Sequence, residues 1–330
     1  SPATGAIVVT PAGGNSPYVS AIQQQRDLFG GTANSPLGIF GSASGIHDDF
    51  SQKTYLTGSD SFSYELDDEN QNPIRAIVPA PEGFFVFTGS NVTLIRGIDD
   101  NIILAGNLKA VPQFFPGAER TRPERIGREI FYVDAASGGI RGISTSNLPG
   151  YFEDTNASIL SAHFFSSDNR VIKMAWARNP HSVLWCVLAD GTALSFTYEK
   201  EHSVRAWMPH KTQGEIIDVA VVKEGFVDRV YFLVNRRIND KDWQMVESLA
   251  DRRVTTIDQS RGLDCFLETG KEYPDADIRL VPDPDETNVI INANGSVFTA
   301  GHVGQVIRVQ GGRGVISSQT GNAAVAVFDV

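Results

Sequence analysis

The run Ile172-Lys-Met-Ala-Trp-Ala-Arg-Asn-Pro-His-Ser-Val-Leu-Trp-Cys-Val-Leu-Ala-Asp-Gly-Thr-Ala-Leu-Ser-Phe-Thr-Tyr-Glu199, continued by Val204-Arg-Ala-Trp207, divides at its turn signals into four short strands. Asn179-Pro-His181 reads as a turn, because proline fixes φ and pushes the preceding residue out of the helical region. Asp190-Gly191 is the dipeptide of a two-residue type I′ hairpin, whose central positions both need positive φ. Val183 to Leu188 is a continuous apolar run, as in a strand covered on both faces. Leu194 to Tyr198 alternates apolar and polar residues, so one face is buried and the other wet. Four antiparallel strands joined by hairpins make one blade of a β-propeller or a comparable meander. A piece of a β-sandwich is the alternative.

Working outward, a degenerate repeat emerges. Apolar strands centre on Phe40, Phe85, Tyr132, Trp185 and Tyr231, and each is followed by a turn and a second strand. A period of about 40–50 residues is a propeller signature. The expected fold class is therefore all-β, an irregular β-propeller of about five to six blades. It spans residues 18–250, after an N-terminal arm or edge strand over 1–17. Residues 251–330 are expected to form a smaller β domain or an insertion, in a chain that ends inside an apolar run as if truncated. Arg125 to Val133 reads as one strand, residues 64–72 as a solvated acidic tip, and Ser146 to Ser167 as the best helix candidate.

Composition sets limits on function. The chain has 330 residues, 41% hydrophobic and 20% charged, with 31 glycines and a net charge of −11. Such an acidic balance opposes tight binding to nucleic acid through phosphate neutralisation. No apolar run approaches the roughly 18 residues of a membrane-spanning helix, and the first residues show no signal-peptide pattern. Cys186 lies inside an apolar strand, where a cysteine acts as a small hydrophobe.

Candidate chemistry is sparse. His47-Asp48-Asp49 lies in a Gly-Ser-rich turn and reads as a polar loop cluster rather than a metal site. Asp283-Pro-Asp285-Glu286 alternates carboxylates as calcium loops do, but lacks the loop glycine and the distant glutamate. Gly311-Gly-Arg-Gly314 reads as a hairpin rather than an anion cradle. Trp176, Trp185, Trp207 and Trp243 are expected to fill the spaces between blades; lining a sugar site is the other reading. No cofactor, metal or catalytic residue is expected.

Two sets of residues resemble a known family. The first comprises Tyr18 to Thr32 with its Phe29-Gly30-Gly31 turn, Phe40 to Gly45, and Asp49-Phe50. The second comprises Glu129 to Asp134, Met174 to Trp176, Asn179-Pro180-His181 through Trp185, Asp190-Gly191, Tyr198-Glu199, Trp207, His210 and Val246 to Leu249. In order, they resemble the tail nozzle proteins of short-tailed bacteriophages (tail tubular protein B-like, or tail hub proteins). The likeness covers most of residues 18–249, and residues 270–330 match poorly. It implies a structural virion protein rather than an enzyme. In that setting the chain would form a homohexameric ring in the viral tail, assembled in the host bacterial cytoplasm. Its implied partners are portal-side adaptor proteins and tail fibres or tailspikes, with double-stranded DNA passing through transiently on ejection and without tight binding. A glycan-binding or glycan-cleaving propeller is the alternative function.

Overall fold

The structure is a computed structural model that describes residues 15–51, 53–68, 71–98, 102–146, 151–200, 202, 204–238, 240–250, 279–282, 288–292, 298–309, 312–321 and 323–328. The expected arm over 1–17 and the carboxylates at 283–286 therefore fall almost wholly outside the described residues. The chain divides into two compact units, Ser1–Leu249 and Ala250–Val330.

The first unit is a succession of antiparallel meanders. The first sheet contains β1 (Val19–Gln23), β2 (Arg26–Gly30), β3 (Gly38–Gly41) and β4 (Phe62–Glu65), paired in that order. The second runs β5 (Ile74–Ala80), β6 (Gly83–Thr88), β7 (Val92–Gly97), β8 (Leu108–Phe114). The third runs β9 (Glu124–Ile126), β10 (Glu129–Val133), β11 (Ile140–Thr145), β12 (Phe152–Asn156). The fourth runs β13 (Val171–Ala177), β14 (Val183–Leu188), β15 (Ala193–Glu199), β16 (Val204–His210), the four strands expected from the turn signals. The fifth has three strands among the described residues, β17 (Glu215–Glu224), β18 (Val227–Ile238) and β19 (Lys241–Ser248).

Side-chain alternation in the second strand of each sheet explains how the sheets stack. In β14, Leu184, Cys186 and Leu188 pack with Phe131, Val133 and Ile140 of the third sheet. The intervening Trp185 and Val187 pack with Val230, Phe232 and Val234 of the fifth. In β6, Phe84 and Val86 join Leu28 and Ile39 of the first sheet, while Phe85 and Phe87 join Ile130 and Tyr132 of the third. Successive residues of a strand point to opposite faces, so an unbroken apolar run supplies two interfaces. Sheets stacked face to face in chain order, with their first strands converging (β1 on β5, β9 on β13, β13 on β17), are the blades of an irregular β-propeller. The second unit is a five-stranded antiparallel sheet of β20 (Arg279–Pro282), β21 (Asn288–Asn292), β22 (Val306–Val309), β23 (Gly312–Thr320) and β24 (Ala323–Phe328), in the order β20-β21-β24-β23-β22. Its small core is Ile291, Phe298, Ile316, Ala324 and Ala326.

Several local expectations are corrected. Arg125 to Val133 is broken at Gly127, where φ is +64°, into the β9–β10 hairpin. The repeat centre Phe40 falls on the third strand of its sheet; Leu28, on the second, is the residue equivalent in burial. The described residues of 146–167 hold strand β12 and a short 3₁₀ helix, Ile159–Phe164, instead of an α-helix. Asp68 in the acidic loop is buried and accepts a hydrogen bond from Ser90 Oγ at 2.9 Å, so it anchors that loop. The hairpin at Asp190-Gly191 has positive φ only at Gly191 (+80°), and Leu188 O accepts from Gly191 N at 3.1 Å. That is a three-residue loop with glycine in the left-handed position. The two-residue loop with both positions at positive φ lies elsewhere, at Gln24 (47°) and Gln25 (61°) between β1 and β2.

A side chain at position 191 would meet the fifth sheet, since an added Cβ lies 3.0 Å from Glu215 Cβ and 3.1 Å from its Cα. Gly191→Val combines that contact with a backbone conformation costing about 1–3 kcal/mol for a non-glycine residue. Denaturant titration should rank valine as the most destabilising, alanine intermediate and asparagine mildest. Equal stabilities for valine and asparagine would rule out the left-handed requirement.

A second test concerns acid. Lys53 Nζ lies 2.5 Å from Asp60 Oδ1, and Thr57 N and Oγ1 donate to Oδ2 at 2.8 Å. Led by the lysine, these contacts lower the Asp60 pKa from 3.8 to about 2. A carboxyl depressed on folding contributes stability above its unfolded pKa and loses it as pH falls through the folded one. Stability should therefore decline between about pH 4 and pH 2, and Asp60→Asn should flatten that decline in thermal melts.

Candidate functional site

Where the first strands converge, one segment runs across them. Ala118 N donates to Thr88 O of the second sheet at 2.8 Å, and Glu119 N to Val133 O of the third at 2.8 Å. Thr121 Oγ1 donates to Val171 O on the first strand of the fourth at 2.9 Å. Glycine at 117 makes the crossing possible, because an added Cβ would sit 2.0 Å from Gly89 O.

Beside this segment lies a cleft of about 720 Å³ whose lining includes Arg120, Arg122, Glu124, Arg170, Lys173 and Trp176. A second, of about 550 Å³, lies between the segment and strands β1 and β5; it shares Arg120, Arg122 and Glu124 and adds Arg75 and Arg125. Three carboxylates belong to this region, and two are engaged. Glu119 lies 3.5 Å from Arg75, and Asp218 lies 3.3 Å from Lys173. Burial raises the Glu124 pKa, which Arg122 only partly offsets. Among the described residues, no hydrogen bond or ion pair engages the guanidinium of Arg120 or of Arg122.

The residues that carry the family resemblance lie elsewhere, and most of them act as joints. At Gly30, close to the second sheet, an added Cβ would lie 2.9 Å from Ile77 Cδ1, and Gly31 has φ +67°. Phe29 packs on Phe50 with ring centroids 5.3 Å apart. Asn179-Pro180 is a cis bond in the β13–β14 turn. Here Arg178 N and Asn179 N donate to the Asp228 carboxylate at 2.7 and 3.0 Å, and Asp228 N donates back to Asn179 O at 2.9 Å. The turn thereby grips the β17–β18 hairpin. Trp185, 3% exposed, meets Phe232 edge-on at 5.4 Å and His210 at 4.9 Å. Tyr198 Oη donates to Glu129, which also holds Lys200 Nζ at 2.6 Å, tying the fourth sheet to the third. Burial, then Glu129, pushes the Tyr198 pKa up. Trp207 stacks on Phe196 at 4.5 Å and donates from Nε1 to Ala157 O at 2.9 Å. Asp190 accepts from Asn169 Nδ2 at 3.1 Å. His181 is exposed and Glu199 half-buried, and neither joins this set.

Chemistry at these residues is constrained by where they sit. Ser195 Oγ lies 2.8 Å from His210 Nε2, the spacing of a nucleophile and its base. Ser195 is only 6% exposed, between the fourth and fifth sheets, where no substrate reaches it. Cys186 is fully buried, and desolvation raises its pKa, which suppresses the thiolate. His47 Nδ1 lies 2.9 Å from Asp27, a surface pairing. Among the described residues, no group of three histidines, cysteines or carboxylates could hold a metal. Trp243 departs from the expected packing role, being 51% exposed on β19.

Sequence reasoning missed two buried cations. Arg26, 1% exposed, donates to Ser42 O, Asp60 O and Gly58 O at 2.6–2.7 Å. Arg236, 5% exposed, donates to Glu247 at 2.8 Å and to Gln213 O at 2.9 Å. An arginine in a strand-like sequence carries no local sign that partners distant in the chain will converge on it.

The fold and joints together define an all-β, propeller-type protein. No protein-family model matches the chain, and no curated protein matches it. Among solved structures, the WD40 domain of Neurospora crassa Pan2 aligns over 96% of this chain and 90% of its own, at 10% identity and a TM-score of 0.40. The major Malassezia sympodialis allergen Mala s 1 aligns over 64% of this chain and 68% of its own, at 12% identity and a TM-score of 0.37.

Trp185 offers the direct test of the joint assignment. Truncating a buried tryptophan costs about 3–5 kcal/mol, so Trp185→Ala should unfold at markedly lower denaturant than the wild type. Coincident unfolding curves would mean that the fourth and fifth sheets do not depend on this contact.

Proposed function

We propose that this chain is a ring-forming structural subunit of a short-tailed bacteriophage tail, a nozzle or hub protein that extends the channel through which DNA is ejected. The supporting observation is what the residues of the resemblance do. Asn179, Trp185, Tyr198, Trp207 and Gly30 hold one sheet to the next or pin a strand within its packing. A sequence pattern made of joints is the pattern of a load-bearing module rather than of a catalytic centre.

In this reading, identical subunits meet through a heterologous interface, which closes into a ring when its rotation divides a circle. The net charge of −11 suits a channel protein that lets duplex DNA pass, because releasing counterions through many lysine and arginine contacts would make the duplex stick. The ring sits in the virion beneath the portal-side adaptor and carries fibres or tailspikes. Negative-stain imaging and mass photometry of the purified protein should reveal six-fold rings with a central hole. Monomers alone at micromolar concentration, together with turnover of a polysaccharide, would replace this reading with the glycan-active one.

A further inference from the structure

The cleft beside Gly117–Pro123 has a charge balance opposite to that of the protein. The region formed by the two clefts brings together Arg75, Arg120, Arg122, Arg125, Arg170 and Lys173 against Glu119, Glu124 and Asp218. Two of the three carboxylates are spent on other cations: Glu119 is engaged with Arg75 and Asp218 with Lys173. Glu124 interacts with Arg122, which leaves Arg120 the less compensated of the central pair. Arg120 and Arg122 are exposed, with neither guanidinium in a hydrogen bond or close ion pair among the described residues, on a segment that Thr121 fixes to the backbone of β13.

Like charges held close in a concave site repel one another, and walls of low dielectric focus their field. An arginine fork is built for two parallel bonds to a carboxylate or phosphate. The rest of the larger cleft is not a charged surface. Ile172, Met174, Val219 and Val221 contribute an apolar lining and Trp176 a flat aromatic one, with its Nε1 turned to Ser182 Oγ at 3.4 Å. At about 720 Å³ the cleft is within the range that small ligands occupy.

We propose that this cleft binds a small anion, a phosphate or carboxylate group carried on an apolar ring-shaped body. Arg120 and Arg122 hold the charged group, Arg170 adds to the field at its margin, and the body lies against Trp176 and the apolar wall.

Calorimetry of the full chain at low ionic strength tests it, with phenyl phosphate, benzoate and neutral phenol as probes. One or both anions should bind saturably and more tightly than phenol, and whichever binds identifies the charged group. Binding should weaken as salt is added. Arg120→Gln with Arg122→Gln should lower the affinity by roughly tenfold or more, the worth of one charge-assisted hydrogen bond. Lys109→Gln, at an exposed position of β8 outside the cleft lining, should leave it unchanged. The indole N–H resonance of Trp176 should shift in step with anion binding, a readout that a stability defect in the double variant would not supply. The proposal is overturned if neither anion saturates, if phenol binds equally well, or if the double variant binds like the wild type.

Discussion

The alternation of side chains in the second strand of each blade is the constraint on which everything else rests. A strand with an apolar residue at every position has no solvent face, so it is stable only between two neighbours. β6, β10 and β14 each satisfy this by sending odd and even residues to different sheets. Every interior blade is therefore indispensable to two interfaces at once. A one-residue slip in β14 would exchange Trp185 with Leu184 or Cys186 and spoil the packing toward both the third and the fifth sheets.

Polar joints complete what apolar stacking leaves unspecified. Hydrophobic burial is non-directional, and it would tolerate sheets sliding over one another. Charges that must be satisfied do not tolerate this. Glu129 receives Tyr198 and Lys200 across one interface, and Asp228 receives two backbone N–H groups of the Asn179 turn across the next. Removing the Tyr198 hydroxyl would leave the buried Glu129 carboxylate short of a partner, which costs more than the bond itself is worth. These joints fix the angle between blades, whereas the apolar faces supply the bulk of the attraction.

Much of this was legible in the sequence wherever a signal was local. The run Val183 to Leu188, the breaks on either side of it and the recurrence of such runs carried the blade pattern. What stayed hidden depended on partners distant in the chain. Gln24-Gln25 adopts a turn usually given to Asn-Gly, and there Gln24 Oε1 accepts from Ile103 N, a partner distant in the chain. Gly127 splits what looked like one strand, since a glycine inside an apolar pattern marks either a strand interior or a tight turn. Asp68 looked solvated beside other acids, yet Ser90 and Asn91 on the neighbouring turn receive it. The cleft was not legible at all, because it gathers arginines from several repeats whose sequences show only scattered charge.

Among the described residues, each apolar interface of the first unit joins blades that are neighbours in the chain. The topology is in this sense one-dimensional, and its loop-closure costs stay those of adjacent repeats. As the chain leaves the ribosome, each blade can pack on its neighbour as soon as the next is synthesised. A defect in one blade then blocks growth beyond it while leaving earlier blades packed. Truncated products should consequently be ordered up to the lesion rather than uniformly collapsed.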